Sequence, residues 1–347
     1  MRVLYGCNTQ GQGHLGKAAV LVPALLARGH EVRVVSSGPR PPEHYRFPGH
    51  LHVAGLEYAI EAGRADIART ARDWLRSSPQ LLASLRQVRR LVADFQPELI
   101  LSDFEPFTAS PLISPPCEVV SVCRQAALLD PAISTPPPTT RAAHLARTVI
   151  RLFLLGADRR LGYHYAPESR RCLPPIIRPE LFLLRPEPGN HVLIYNHHYV
   201  LEGEAERLIR WASDRRMEVR AYGFTSVPRG RIGYVRFQPS SRSQMLLDMA
   251  TARAIATTSG LTTPAEGFLL HKPVCVVPLP GQWEQQANAA HLENLGMAVA
   301  SSAWDYNRLL EIPAPRPEHP LHRWLTTGSE QVLDAILAGS APARRAA

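Results

Sequence analysis

The residues near the start of the chain best equipped for chemistry are Gly11-Gln12-Gly13-His14. Closely spaced glycines mark a place where backbone approaches a ligand, and His14 stands where a helix would begin. An imidazole titrates near neutral pH and can take a proton from an attacking hydroxyl or amine; the other reading is that His14 only caps the helix. Gly11, Gly13 and Gly16 also satisfy G-x-G-x-x-G, which admits an NAD(P)-dependent oxidoreductase as a competing reading. Two features count against it. A dinucleotide turn places its first glycine directly after the strand, whereas Cys7 to Gln10 intervene here, and the second strand runs into Ser36-Ser37-Gly38 without an acid for the ribose. Arg40 could still serve an NADP phosphate.

Such residues need a scaffold, and hydrophobic patterning supplies one. Residues 2–6 predict a buried strand, 17–28 a helix stopped at Gly29, and 31–36 a second strand, which is how a parallel α/β sheet begins. Further strands are expected at 51–53, 99–102 and 118–122, with a helical stretch over 66–95 and another over 141–156. Pro174, Pro175, Pro179, Pro186 and Pro188 then punctuate the chain before a new strand at 191–195, the best place for a domain boundary. A second alternation follows: helices at 201–214, 242–250 and 262–270, strands at 218–222, 233–237, 254–257 and 274–278. The expected division is residues 1–187, residues 188–325, and a C-terminal helix with a frayed tail over 326–347.

Composition bounds the class. A chain of 347 residues exceeds what one core usually organises, so two domains are expected. The five cysteines are odd in number and scattered, which disfavours a disulfide framework and a zinc site. No signal sequence is evident, and the apolar run 18–27 is too short to span a bilayer, so the expected location is cytoplasmic. The formal charge of +9 is almost all arginine, since Lys17 and Lys272 are the only lysines. Arginine forks suit phosphate and polyanions, although a GC-rich genome would also favour arginine codons. Seven arginines against two acids lie between Arg141 and Arg171, either a solvated helix face or a surface for an acidic carrier or anionic membrane; nucleic acid is not an expected partner.

Taken in order, Gly11-Gln12-Gly13-His14, Arg28-Gly29-His30-Glu31-Val32, Ser259-Gly260 and Glu284-Gln285-Gln286-Ala287-Asn288-Ala289 resemble the GT-B glycosyltransferases that use UDP-sugars. That group includes plant and antibiotic glycosyltransferases and the peptidoglycan N-acetylglucosaminyltransferase. Ser102-Asp103-Phe104-Glu105-Pro106 and Tyr222-Gly223-Phe224 are similar to a bacterial and archaeal subgroup. The resemblance covers about residues 1–300. It implies an α/β fold of two Rossmann-like parallel domains facing each other across a cleft, the N-terminal one holding the acceptor and the C-terminal one the nucleotide sugar.

What the resemblance implies for the site is specific. His14 would be the general base in an inverting displacement and Asp103 the acid that orients it, with Glu105 as an alternative acid or an acceptor contact beside Gln12, Arg124 and Gln125. The donor would meet Gly13, Ser259, Gly260, Leu261 and Thr262, where free amides precede a helix and can bind a diphosphate. Glu266 would hold the ribose, Glu284 and Gln285 the sugar hydroxyls, Phe237 and Gln238 the base, and His197 the phosphates, while Asn288 would steady the loop. No cofactor or metal is implied, although Asp103-Phe104-Glu105 looks like the Asp-x-Asp metal motif of the other large glycosyltransferase fold. The donor sugar would be GlcNAc, glucose or galactose on UDP, and the acceptor a small aromatic or specialised metabolite, free or carrier-tethered, or a lipid-linked saccharide. Ser259-Gly260 departs from the usual Gly-Gly turn and Glu284 from the commoner Asp, as an unusual donor would allow. A sugar-nucleotide epimerase on the same fold is the second alternative.

Overall fold

The computed structural model describes residues 1–61, 64–137, 139–196, 203–239 and 241–338. The chain forms two units: Met1–Ala59 with Asp66–Ile176 and the described part of Thr327–Ala347, and Ile60–Ala65 with Ile177–Thr326.

In chain order the first unit opens with β1 (Arg2–Asn8), α1 (Gln12–Ala27), β2 (Glu31–Ser37) and β3 (Leu51–Val53). The hairpin β4 (Ile60–Glu61) and β5 (Arg64–Ala65) interrupts it and groups with the second unit. Then come α2 (Ile67–Arg76), α3 (Ser78–Phe95), β6 (Leu99–Asp103), β7 (Glu118–Val122), α4 (Arg124–Leu128), α5 (Arg141–Phe153), β8 (Arg159–Tyr163) and β9 (Cys172–Leu173). Its sheet has the order β3-β2-β1-β6-β7-β8-β9 and is parallel throughout. β1 lies between β2 and β6 with Val3, Leu4, Tyr5 and Cys7 fully buried, as a central parallel strand covered on both faces requires.

The second unit follows with β10 (His191–Tyr195), α6 (Glu204–Arg215), β11 (Glu218–Tyr222), β12 (Gly230–Ile232), β13 (Val235–Phe237), α7 (Arg242–Ala250), β14 (Ala252–Thr257), α8 (Thr262–Leu269), β15 (Val274–Val276), α9 (Trp283–Asn294), β16 (Val299–Ala300), α10 (Tyr306–Leu309) and α11 (Leu321–Leu325). Its sheet runs β12-β13-β11-β10-β14-β15-β16, with only β12 antiparallel. The last helix, α12 (Ser329–Leu337), belongs to the first unit.

Several expectations shift for physical reasons. α1 starts at Gln12, not at 17, so Gly13 and Gly16 are helical and Gly11 alone, at φ 92°, makes the turn out of β1. The stretch 66–95 is two helices, because Pro79 in the first turn of α3 disfavours a continuous helix through the residues before it. The boundary falls at Ile176/Ile177 because the proline segment packs onto the second unit: Glu187 N–H donates to Ala250 O (3.0 Å) and Lys272 Nζ to Glu187 O (2.6 Å). β8 was not expected, since Arg159-Arg160 hides its pattern. The Arg159 guanidinium is spent within the unit, on Glu118 (2.9 Å) and on the carbonyls of Ile336 (2.5 Å) and Ala338 (2.6 Å). The tail from residue 339 lies outside the described residues. Among the described residues no helix is long and apolar enough to cross a membrane.

Candidate functional site

His14 sits in the first turn of α1 and Asp103 ends β6, the strand beside β1. The structure brings them together: His14 Nδ1 lies 2.8 Å from Asp103 Oδ1. An ionised carboxylate can only accept, so this contact assigns the proton to Nδ1 and leaves Nε2 as the basic nitrogen. The His14 side chain is 14% exposed while that of Asp103 is 0% exposed. A third group enters that sequence reasoning did not single out. Lys17 Nζ donates to the same Oδ1 at 2.7 Å, stands 3.4 Å from His14 Nδ1, and lies 4.7 Å from the centroid of the Tyr163 ring. Its signal was available, since Lys17 follows His14 by one helical turn and so shares its face. Burial alone would raise the Asp103 carboxyl, but the charges of His14 and Lys17 and their hydrogen bonds bring it below its ordinary value.

The Asp-Phe-Glu run does not present two carboxylates side by side. Phe104 adopts φ 55°, a left-handed conformation uncommon for a bulky residue, and its ring stacks on His14 at 6.1 Å between centroids. The chain therefore turns, and Glu105 points inward. It is 0% exposed and accepts from the backbone N–H groups of Phe107 (3.2 Å) and Thr108 (2.6 Å). Gly6 makes this turn possible, because a Cβ there would stand 2.1 Å from Thr108 Oγ1. Glu105 thus holds its own loop, which corrects its expected place against an acceptor. Burial pushes its carboxyl up, and the amide hydrogen bonds oppose this.

Arg124 and Gln125 open α4 and are buried, another departure from the expected acceptor surface. Arg124 Nη1 donates to Tyr163 O (3.1 Å) and to His164 Nδ1 (2.6 Å), so it braces the end of β8. Burial, then the Arg124 charge, pushes His164 down to about 3 and keeps it a neutral acceptor. Gly13 is exposed with open space over its Cα, and Gln12 begins α1, though its side chain lies outside what is described.

In the second unit Ser259, Gly260 and Leu261 lead from β14 into α8. Leu261 is the N-cap residue and no side chain caps the helix, so Thr262 leaves the first-turn amides uncapped. Ser259 Oγ donates to Gln285 O (2.7 Å), Gln285 Oε1 accepts from Leu279 N–H (3.0 Å), and Asn288 Nδ2 donates to Ser259 O (2.9 Å). Gln285 and Asn288 therefore both brace this turn, and Glu284 lies beside them in the first turn of α9.

Two donor expectations are corrected. Glu266 is fully buried and held by Arg178, whose Nε donates to Oε1 at 2.7 Å and whose Nη2 donates to Oε2, so both carboxylate oxygens already carry a guanidinium partner. Phe237 points into the core, edge-on to Phe224 at 5.4 Å, because alternation along β13 turns it away from Gln238. Gln238 lines an open cavity of about 440 Å³ with Arg220, Arg236, Pro239, Ser241, Gln244 and Asp248. His197 lies outside the described residues. Just before it, Asn196 Oδ1 and, on the neighbouring β14, Thr257 Oγ1 are buried with no hydrogen-bond partner among the described residues. Sequence reasoning missed both, and such buried polar atoms mark a place for a polar ligand or water.

The profile of glycosyl transferase family 1 matches residues 1–311. The chain belongs to that family. No curated protein matches it by sequence. Among solved structures, the kitacinnamycin glycosyltransferase is similar at 17% identity and TM-score 0.65, covering 96% of this chain and 98% of that one. The calicheamicin glycosyltransferase CalG4 gives 18% identity, TM-score 0.65 and 97% of each chain. The spinosyn rhamnosyltransferase SpnG, complexed with thymidine diphosphate, gives 14% identity, TM-score 0.57, and coverage of 97% and 100%.

This glycosyltransferase has the GT-B fold, which sets aside the nicotinamide reading of its glycine run. The geometry agrees with that: only Gly11 turns the chain, and β2 ends in Ser37, whose carbonyl accepts from Thr9 Oγ1 at 3.0 Å. Among the described residues no three His, Cys, Asp or Glu side chains gather as a metal site.

Proposed function

We propose that this glycosyltransferase moves a hexose or N-acetylhexosamine from a nucleoside diphosphate to a hydroxyl or amine of a small specialised metabolite, by a single inverting displacement that needs no metal. The observation that carries the reading is the 2.8 Å contact between His14 Nδ1 and Asp103 Oδ1, which leaves Nε2 free to work as a base. The acceptor gives its proton to Nε2 while its oxygen or nitrogen bonds to the anomeric carbon. The bond from that carbon to the diphosphate breaks, and the leaving group departs with the electron pair. The uncapped amides of α8 and the turn 259–261 suit the charge that develops there.

UDP is the nucleotide favoured by the motifs, and the thymidine diphosphate in a structurally similar spinosyn rhamnosyltransferase makes TDP the other to try. A carrier-tethered acceptor would meet Arg141, Arg151, Arg160, Arg170 and Arg171, which are exposed. The test is a thermal-shift panel of UDP, TDP and their sugars, followed by transfer assays of the wild type and His14→Ala. Stabilisation by one nucleotide and a loss of about 10²-fold or more in kcat/KM for the variant are expected. No stabilisation by any of these nucleotides, with full transfer by the variant, would refute both donor class and mechanism.

A further inference from the structure

We propose that Lys17 is a positioning residue whose ammonium keeps the buried Asp103–His14 pair one proton short, so that the base is bare at Nε2 when the acceptor arrives. This rests on His14 being the base.

Asp103 is fully buried, and its Oδ1 receives both Lys17 Nζ at 2.7 Å and His14 Nδ1 at 2.8 Å. Oδ2 has no hydrogen-bond partner among the described residues. An ammonium has no lone pair, so the 3.4 Å approach of Nζ to Nδ1 cannot be a hydrogen bond once Nδ1 carries its proton; both groups aim at one oxygen. Lys17 and Asp103 together are neutral, and a neutral imidazole completes the cluster without net charge. Remove the ammonium and a buried anion remains beside the imidazole. The cheapest remedy is to bind a proton, on Asp103 or on His14. Either position disables the base: a protonated carboxyl can donate to Nδ1 and leave the ring proton on Nε2, and an imidazolium has nothing left to accept with.

Among the described residues, no cation besides Lys17 and His14 acts on Asp103. Tyr5 and Cys7 on β1, Cys123 after β7 and Tyr163 on β8 face Asp103, and burial raises each above its ordinary value, Cys123 to about 11, so all four stay protonated and uncharged. Glu105, on the same loop, accepts from the backbone amides of Phe107 and Thr108, the side chains of Ser37 and Thr108 also favour its charged form, and burial raises its carboxyl. Of the two groups that draw the Asp103 carboxyl down, Lys17 and His14, only Lys17 supplies a charge while the imidazole is neutral.

The experiment is the pH dependence of kcat/KM for wild type, Lys17→Met, Lys17→Arg and His14→Ala. In Lys17→Met the acid limb should move up by about one pH unit or more, with activity recovering toward the wild-type plateau at high pH, because the surplus proton leaves there. Lys17→Arg retains the charge and should keep the wild-type limb. An unmoved limb in Lys17→Met overturns the proposal even if overall activity falls. Full transfer by His14→Ala would instead defeat the base itself, so the two failures are distinguishable. Should Lys17→Met not fold, ¹⁵N-histidine spectra of the wild type decide: His14 should be neutral with its proton on Nδ1 in the active pH range, and a proton on Nε2 overturns the assignment.

Discussion

Asp103 serves two neighbours through one oxygen, and the demands differ in kind. Lys17 needs a counter-charge inside the protein, whereas His14 needs an acceptor that fixes its tautomer. A neutral amide supplies no counter-charge, and it can turn its NH2 toward Nδ1 and hold the wrong tautomer. Asp103→Asn should therefore cut kcat/KM by about 10²-fold or more through misorientation of the base and also destabilise the fold, since a buried ammonium is left unpaired. The sign of the pH dependence follows from the depressed Asp103 carboxyl. Its contribution is present above the unfolded value of about 3.9 and is lost as pH falls through the lower folded value. The stability gap between wild type and Asp103→Asn in urea titrations should be constant from neutral pH down to about 4 and shrink below it. A gap that stays constant into strong acid would show that the charge is not what stabilises this site. The proximity of His14 and Asp103 was readable from motif order, since His14 follows the turn out of β1 and Asp103 ends β6. Lys17 was visible as a rare lysine, but its partner lies 86 positions away, and no local pattern announces such a pair.

At the scale of elements, what sequence could not foresee came from backbone turns and from arginines. Strand alternation would have put Asp103 and Glu105 on one face, yet a left-handed Phe104 sends them apart, and nothing in a Phe residue advertises that conformation. β1, β6, β7 and β10 were legible because buried parallel strands are continuous apolar runs, while β8 begins with two arginines. Glu266 is the sharpest case. Its position one turn into α8 suggested a ribose ligand, but Arg178, from the proline segment, takes both oxygens. That pair ties the start of the second unit's chain to α8. Arg178→Met alone should cost about 3–5 kcal/mol by stranding a buried carboxylate, and the double variant Arg178→Met, Glu266→Gln should regain most of it. Denaturant unfolding of the three proteins measures this. If Arg178→Met is as stable as the wild type, Glu266 has another partner in solution.

At the scale of the molecule, the domain count was legible from length and the position of the proline segment, while the unit boundaries were not, because they depend on where segments pack. The segment 177–187 packs onto the second unit, and α12 joins the first although it follows the whole of the second in sequence. α12 buries Val332, Leu333 and Ile336, and Arg28 at the end of α1 reaches Glu330 and Asp334. The exposed ion pairs contribute little, so the apolar side chains hold the helix in place. Three such side chains are worth on the order of 5 kcal/mol, comparable to the net stability of a domain. A chain ending at Thr326 should therefore lose stability selectively in the first unit. Hydrogen exchange read by mass spectrometry should show faster exchange in β1 and β6, with β10 and β14 unchanged. Transfer should fail along with β1, because β1 and β6 carry the ends on which His14 and Asp103 meet. Equal protection of β1 in the full and shortened chains would mean that α12 only rests on the first unit, and that the fold holding the base is complete before the chain returns to it.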